Sequence, residues 1–226
     1  MQYFTRSNST LTPFVLQSDL RSVIARIYDP LDLHTPVIVR AKIILQRVWS
    51  LKIDWGEFLP ADLHSEWNRY YAKLLLLDDI RFPRKTIIKS AIEIELHGFC
   101  DASERAYGAC VYLRTFNPRN IQTLLLTMKS KVAPLKSQTI PRLDLRGALL
   151  LTSLTATIQQ ALPVKLKRTV YCMDSTIVLR WINSSPHTLK IFIANRVAEI
   201  QNKTTFSNWR HVPINDNPAN LISRGQ

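Results

Sequence analysis

Three aspartates stand where chemistry could be done: Asp101, Asp144 and Asp174. Asp101 closes the run Glu95-Leu96-His97-Gly98-Phe99-Cys100, which alternates in character like a half-buried strand, and Ala102 and Ser103 are small enough to turn the chain after it. Asp174 follows Thr169–Met173, a short apolar run that reads as a strand buried on both faces. Asp144 falls in the first turn of a helix that starts at Pro141, on one face with Gly147, Ala148 and Leu151. If the strands ending at Asp101 and Asp174 are parallel neighbours, both carboxylates emerge at one end of a sheet, and Asp144 leans over the same rim. Such a cluster repels itself unless cations neutralise it. Oxygen-only ligands suit Mg²⁺ or Mn²⁺. Two such ions can activate a water and stabilise the leaving oxygen of a phosphodiester.

The elements that must place these acids are legible around them. Tyr107–Arg114 reads as a second strand joined to the first by a short turn, and Ile121–Lys131 as a third after Asn117-Pro118. A long helix covers Arg142 to about Leu162 and ends at Pro163. Ser175 or Thr176 caps a helix over Ile177–Ile182, a further helix spans about His187–Gln201, and Trp209–Val212 is a last strand. A three-stranded meander followed by helix, strand, helix and strand predicts an α/β (α+β) fold, a mixed five-stranded sheet flanked by helices.

The first half reads differently. Residues 1–20 are Ser/Thr-rich and predicted to be a poorly ordered arm. Helical spacing follows in Leu20, Val23, Ile24 and Ile27, with Ser18 as N-cap. A second helix follows Pro36, and a third starts at Pro60 with Leu63, Trp67, Tyr70 and Leu74 on its apolar face. Residues 21–90 thus form a helical module, with Arg81–Ser90 as linker, and 91–226 form the sheet-bearing domain. Asp78-Asp79 closes a helix and reads as surface charge rather than a polymerase acid pair.

Composition narrows the partners. The net charge is +13: residues 1–90 carry 13 Lys+Arg against 9 Asp+Glu, and residues 91–226 carry 17 against 8. That excess predicts a polyanionic partner, with Lys129, Lys131, Lys136, Arg142 and Arg146 as its nucleic-acid contacts. His97 and His211 read as structural. Cys100, Cys110 and Cys172 are too few for a disulfide framework and read as buried free thiols, placing the chain in a reducing, intracellular setting, cytoplasmic or nuclear. No apolar run approaches a membrane span, and the first twenty residues lack a signal-peptide core.

Several separate motifs occur in an order that resembles the ribonuclease H region of Bel/Pao-type LTR retrotransposon polyproteins. They are Phe99-Cys100-Asp101-Ala102-Ser103, Lys129-Ser130-Lys131-Val132-Ala133-Pro134, Ile140-Pro141-Arg142-Leu143-Asp144-Leu145, Met173-Asp174-Ser175-Thr176, Asn195-Arg196-Val197-Ala198-Glu199-Ile200, Trp209-Arg210-His211-Val212-Pro213, and Asn217-Pro218-Ala219-Asn220-Leu221-Ile222-Ser223-Arg224-Gly225. Tyr28-Asp29-Pro30-Leu31 and Arg40-Ala41-Lys42 resemble the segment joining the polymerase to that domain. The resemblance implies an RNase H-like fold, cleavage of RNA in RNA–DNA hybrids with two Mg²⁺, and the rest of a polymerase polyprotein as a further partner. The family site uses four acids in the order Asp, Glu, Asp, Asp. Asp101 and Asp174 match the first and third; Asp144 stands one methylene short at the second, and Asn220 is neutral at the fourth. In the expected final helix Asn217 is N-cap and Pro218 the first residue, and the chain ends with that helix hardly begun. Asn220 keeps an oxygen ligand but removes a charge, so the second metal is expected to bind weakly. The alternative is a catalytically inactive element remnant that at most binds nucleic acid. An aspartic peptidase is disfavoured, because neither Asp101-Ala102-Ser103 nor Asp174-Ser175-Thr176 carries the glycine of that chemistry.

Overall fold

The structure, a computed structural model, describes residues 17–27, 29–54, 56–83 and 85–225. The expected arm therefore lies outside the described residues up to residue 16, as do Tyr28 and Trp55. Its last residues are not an arm: Gln17–Ala25 form helix α1, which Leu20 anchors by being fully buried. Ser18 lies inside that helix rather than capping it. Helices α2 (Thr35–Ser50) and α3 (Ala61–Leu74) follow, the latter running into a 3₁₀ turn over Leu75–Asp79. Leu20, Ile44, Val48, Leu63, Trp67, Tyr70 and Leu74 meet in one core, so the helical spacing in the sequence marks the faces that pack.

The second core belongs to a sheet. Strands β1 (Glu93–Ala102), β2 (Ala106–Asn117) and β3 (Asn120–Val132) form an antiparallel meander. Helix α4 (Ile140–Ala161) then crosses over to β4 (Arg168–Met173), which lies parallel to β1. Helices α5 (Thr176–Asn183) and α6 (Ile191–Lys203) lead to β5 (Trp209–His211), and α7 (Asn220–Arg224) ends the chain. The strand order is β3-β2-β1-β4-β5, the mixed five-stranded sheet expected. The helix predicted from His187 starts only at Ile191, because Pro186–Thr188 make a separate 3₁₀ turn. The last helix begins at Asn220, not Pro218, yet Asn217 still caps the turn leading into it: its Oδ1 accepts from the Ala219 N–H at 3.1 Å.

The two faces of the sheet are covered unequally. Leu96, Cys100, Ala109, Val111 and Leu113 pack beneath Leu145, Ala148 and Leu151 of α4. Gly147 allows the close approach, since a Cβ there would lie 3.3 Å from the Asp101 carbonyl. The opposite face carries α7, seated over Cys110 and Met128 through Ala219 and Ile222, and beside it α2 at the β2–β3 edge. The expectation that β4 is buried on both faces is therefore wrong: Thr169, Tyr171 and Met173 are buried under α4, while Val170 and Cys172 are only half-buried on the thinly covered side.

The helical module rests on this sheet through α2. Val39 and Ile43 pack with Ala106 and Val132, and Gln46 Nε2 donates to the Ala133 carbonyl at 2.6 Å. Val39 and Arg40 also lie against Gly225 just past α7. A five-residue helix has no stability of its own, so α7 is held by its neighbours. A side chain at Gly108 would overlap Ile222 and sit 3.0 Å from the Lys129 carbonyl. Gly108→Val is accordingly expected to cost about 2 kcal/mol in urea unfolding and to expose the C-terminal segment to limited proteolysis before the rest.

Candidate active site

Asp101 and Asp174 leave the sheet side by side. β1 and β4 pair in parallel with Gly98 opposite Tyr171 and Phe99 opposite Cys172. Carried two residues further, that register sets Asp101 alongside Asp174. Asp144 reaches the same rim from the first turns of α4, as the spacing predicts, and is buried with Asp101 (6% and 5% exposed). The Ala102 N–H faces both of these carboxylates. All three acids also act on the buried Cys100 thiol, which burial, then Asp144, Asp101 and Asp174, hold well above its ordinary pKa.

Electrostatics separates this group from the other buried acid on β1. Glu95, at the far end of the strand, receives Arg168 Nε at 2.7 Å, Arg114 Nη1 at 3.0 Å and His97 Nε2 at 3.0 Å. Burial alone would raise its pKa, but these partners hold it near about 2. Glu95 is thus a satisfied structural ion, and His97 serves it. The rim acids go the other way. Burial first, then the charges of Asp174 and Asp101, push Asp144 up to about 7 against a hydrogen bond from Ser175. Burial and Asp174 raise Asp101, while Ser223 and Arg224 pull it down. Buried acids whose pKa is raised by burial and by neighbouring acids are the pattern of a site rather than a scaffold.

Hydroxyl groups that sequence reasoning did not assign hold these carboxylates. Ser175 stands at the N-cap of α5 but makes no side-chain cap; its hydroxyl goes to Asp144 instead. Ser223 Oγ donates to Asp101 Oδ2, and Ser103 Oγ donates to the Ser223 carbonyl at 2.7 Å. Asn217 Nδ2 ties the same turn to the Cys100 carbonyl at 3.0 Å. The signal for Ser223 was available: it lies three residues after Asn220, on the same helical face. Asn220 itself donates its amide to the Ile214 carbonyl, which leaves its Oδ1 buried without a partner.

The donor set fits a hard divalent cation. It is oxygen only, its charges are mutually destabilising when ionised, and an orphaned buried amide oxygen stands on the helix that binds Asp101. Among the described residues no three His, Cys, Asp or Glu side chains come together closely enough to hold a metal ion by themselves. Mg²⁺ does not need one, since it is commonly held by one or two carboxylates with waters and substrate phosphates completing its shell.

The metal-free site should show its strain in stability. The native pKa of Asp144 lies above its unfolded value, so the folded state binds more protons between pH 4 and pH 7. Stability is therefore highest below the unfolded pKa and falls as pH rises to about 7. Asp144→Asn removes that loss, and in a chelator should melt higher than the parent at pH 8, by roughly 2 kcal/mol, with little difference at pH 4. Thermal melts at the two pH values measure this.

The basic residues predicted to bind nucleic acid divide into two groups. Lys129 lies near Asp32 of the loop before α2, and Lys131 and Lys136 are exposed. Arg142 and Arg146, two positions either side of Asp144, leave α4 on its other side. There they meet Arg196 over the ring of Phe192, with guanidinium carbons 5.0, 5.5 and 3.7 Å from its centroid. Burial and the charge of Arg146 lower the pKa of Arg196. Glu199, whose charge acts on Arg196, is already paired with Lys203 at 2.7 Å. Phe192 is not among the residues the sequence singles out, and Arg196 appears there only within the Asn195–Ile200 motif, without a binding role.

A mixed sheet in this strand order, with acids at the ends of adjacent parallel strands and on the crossover helix, defines an RNase H-like domain. The chain belongs to the family described as the Pao retrotransposon-like RNaseH-like domain, whose model matches residues 17–175. The match takes in the helical module and Asp101, Asp144 and Asp174, and stops before α7. No curated protein matches the chain. Among solved structures it is similar to the N-terminal RNase H domain of a Mycobacterium tuberculosis protein (10% identity, TM-score 0.39, covering 60% of this chain and 96% of that one). It is also similar to RNase H1 of Halobacterium salinarum (9%, 0.34, 54% and 87%). A third is the foamy viral protease-reverse transcriptase solved with an RNA/DNA hybrid (12%, 0.36, 70% and 25%). No helix among the described residues is long and apolar enough to cross a membrane.

Proposed function

We propose that this chain is a divalent-metal-dependent ribonuclease that cuts the RNA strand of RNA–DNA hybrids. The observation that carries the reading is the meeting of Asp101, Asp144 and Asp174 at one sheet rim, where burial and the charge of Asp174 raise the pKa of both Asp101 and Asp144, in a chain of an RNaseH-like family. Asp101, Asp144 and Asp174 would hold Mg²⁺ or Mn²⁺, with Asn220 as a weak neutral ligand. Bound metal supplies an activated water and charge stabilisation at the leaving oxygen of the phosphodiester. The chain's own part is positional: Ser223 and the Ala102 N–H fix Asp101, and Ser175 fixes Asp144. Arg142, Arg146 and Arg196 repel one another around Phe192, and a phosphate between them relieves that repulsion. The rest of a polymerase polyprotein is a further proposed partner, and residues 21–90 the connecting module.

Incubation of the full chain with an end-labelled hybrid in Mg²⁺ and in Mn²⁺ tests this. Cleavage of the RNA strand and sparing of duplex DNA are expected. Hybrid binding in chelator should weaken with salt, and Arg146→Ala should reduce the log–log slope by about 1. A second reading, hybrid binding without cleavage, is favoured by the neutral Asn220. It predicts the salt dependence but no product in either metal, even where Asn220→Asp does cut.

A further inference from the structure

Beside the arginine group lies an open cavity of about 830 Å³ between the start of α4, α5 and the start of α6. Its floor is apolar, made by Pro141, Ile177, Trp181 and Ile193, and its rim carries Arg142 and Lys190. Among the described residues no carboxylate lines it. Trp181 is half-buried, packed on the sheet core and lining the cavity, while Lys190 is exposed. Its volume lies within the range of small-molecule clefts, and it is open to solvent rather than enclosed.

We infer that this cavity takes one unpaired nucleotide, with its base against Trp181 and its phosphate at Arg142 and Lys190. Two features commit it to that occupant. Charge complementarity calls for an anion, since two cations border the cavity and Arg146 and Arg196 stand next to Arg142 across Phe192. The planar indole on an apolar floor suits a flat aromatic body, and base–aromatic stacking accepts any base. A paired base in a hybrid is already stacked and cannot enter, so the site favours hybrids with an unpaired end or bulge. The inference rests on the hybrid-binding reading above and adds a preference to it.

The test compares a blunt RNA–DNA hybrid with the same hybrid carrying a single unpaired 2-aminopurine nucleotide, bound to the full chain in chelator. The overhang hybrid is expected to bind about tenfold tighter, with 2-aminopurine emission quenched on binding. Trp181→Ala should abolish the quenching and the advantage, and Lys190→Glu, an exposed change that disturbs no packing, should shrink the advantage while blunt binding changes less. Equal affinity for the two hybrids, or quenching that persists in both variants, overturns the inference. A chain that quenches and binds the 2-aminopurine strand alone but neither binds nor cuts blunt hybrid supports the cavity and overturns the ribonuclease reading.

Discussion

Asp101→Asn should lower hybrid cleavage by about a thousandfold, a loss of about 4 kcal/mol in transition-state stabilisation at 1.4 kcal/mol per decade. The shape of the site survives the change. Ser223 Oγ donates to Asp101 Oδ2, and an asparagine oxygen at that place can still accept. What disappears is one negative charge at the end of β1, where a cation would otherwise be held between Asp101 and Asp174. In the absence of metal the same substitution removes a carboxylate whose pKa is raised by burial and by Asp174, so stability at pH 8 should be unchanged or higher. That combination, activity lost and stability kept, separates a ligand from a scaffold residue. Glu95→Gln is the contrasting control. It breaks a buried carboxylate held by two arginines and a histidine, and should cost about 3 kcal/mol of stability while leaving the rim acids in place. Single-turnover cleavage beside urea unfolding distinguishes the two, and an Asp101→Asn protein that cuts at the parental rate would refute the proposed site.

The second large effect is a gain. Asn220→Asp should strengthen Mg²⁺ binding by about tenfold or more, because the number of charged ligands governs hard-cation affinity, and should raise cleavage at sub-millimolar Mg²⁺ in proportion. The present amide donates to the Ile214 carbonyl and leaves Oδ1 buried and unpaired. An aspartate cannot make that donation, so its carboxylate turns away from Ile214. Without metal the new charge adds to the repulsion already felt at Asp101, which Arg224 now offsets in part. The variant should therefore melt lower than the parent in chelator and higher in Mg²⁺, since a ligand bound only to the folded state stabilises in proportion to its affinity. Equal melting shifts on adding Mg²⁺ to the parent and the variant would mean that residue 220 does not reach the metal.

Much of this architecture could be read from residue order. The alternation ending at Asp101, the proline that opens α4 and the apolar run before Asp174 each carry a local signal strong enough to define an element and its end. The paired face Asp144, Gly147, Ala148 and Leu151 likewise follows from helical period, and the structure buries all four. Where the reading slipped, a long-range contact had overridden a local one. Gln17 and Ser18 look like the end of an arm and a helix cap, yet they lie inside α1, because Leu20 is drawn into the core with Leu63 and Trp67. Ser175 has the chemistry of a helix cap, but a buried carboxylate next to it competes successfully for its hydroxyl. Val170 and Cys172 look like interior strand residues, yet α7 and α2 pack over the β1–β3 side of the sheet and leave them half-buried.

By itself the sequence determined the composition of the site: which acids end strands, that Asp144 is a methylene short and Asn220 uncharged, and that the balance of charge calls for a polyanion. Those follow from local periodicity and from side-chain chemistry, which need no knowledge of distant neighbours. Only the tertiary structure decided which groups hold the acids and how they titrate. The parallel register of β1 and β4, the grip of Ser223 and Ser103 across α7, and the gathering of Arg142, Arg146 and Arg196 on Phe192 join residues tens of positions apart. Their consequences depend on burial and on separation in space, and neither is written in the order of residues along the chain.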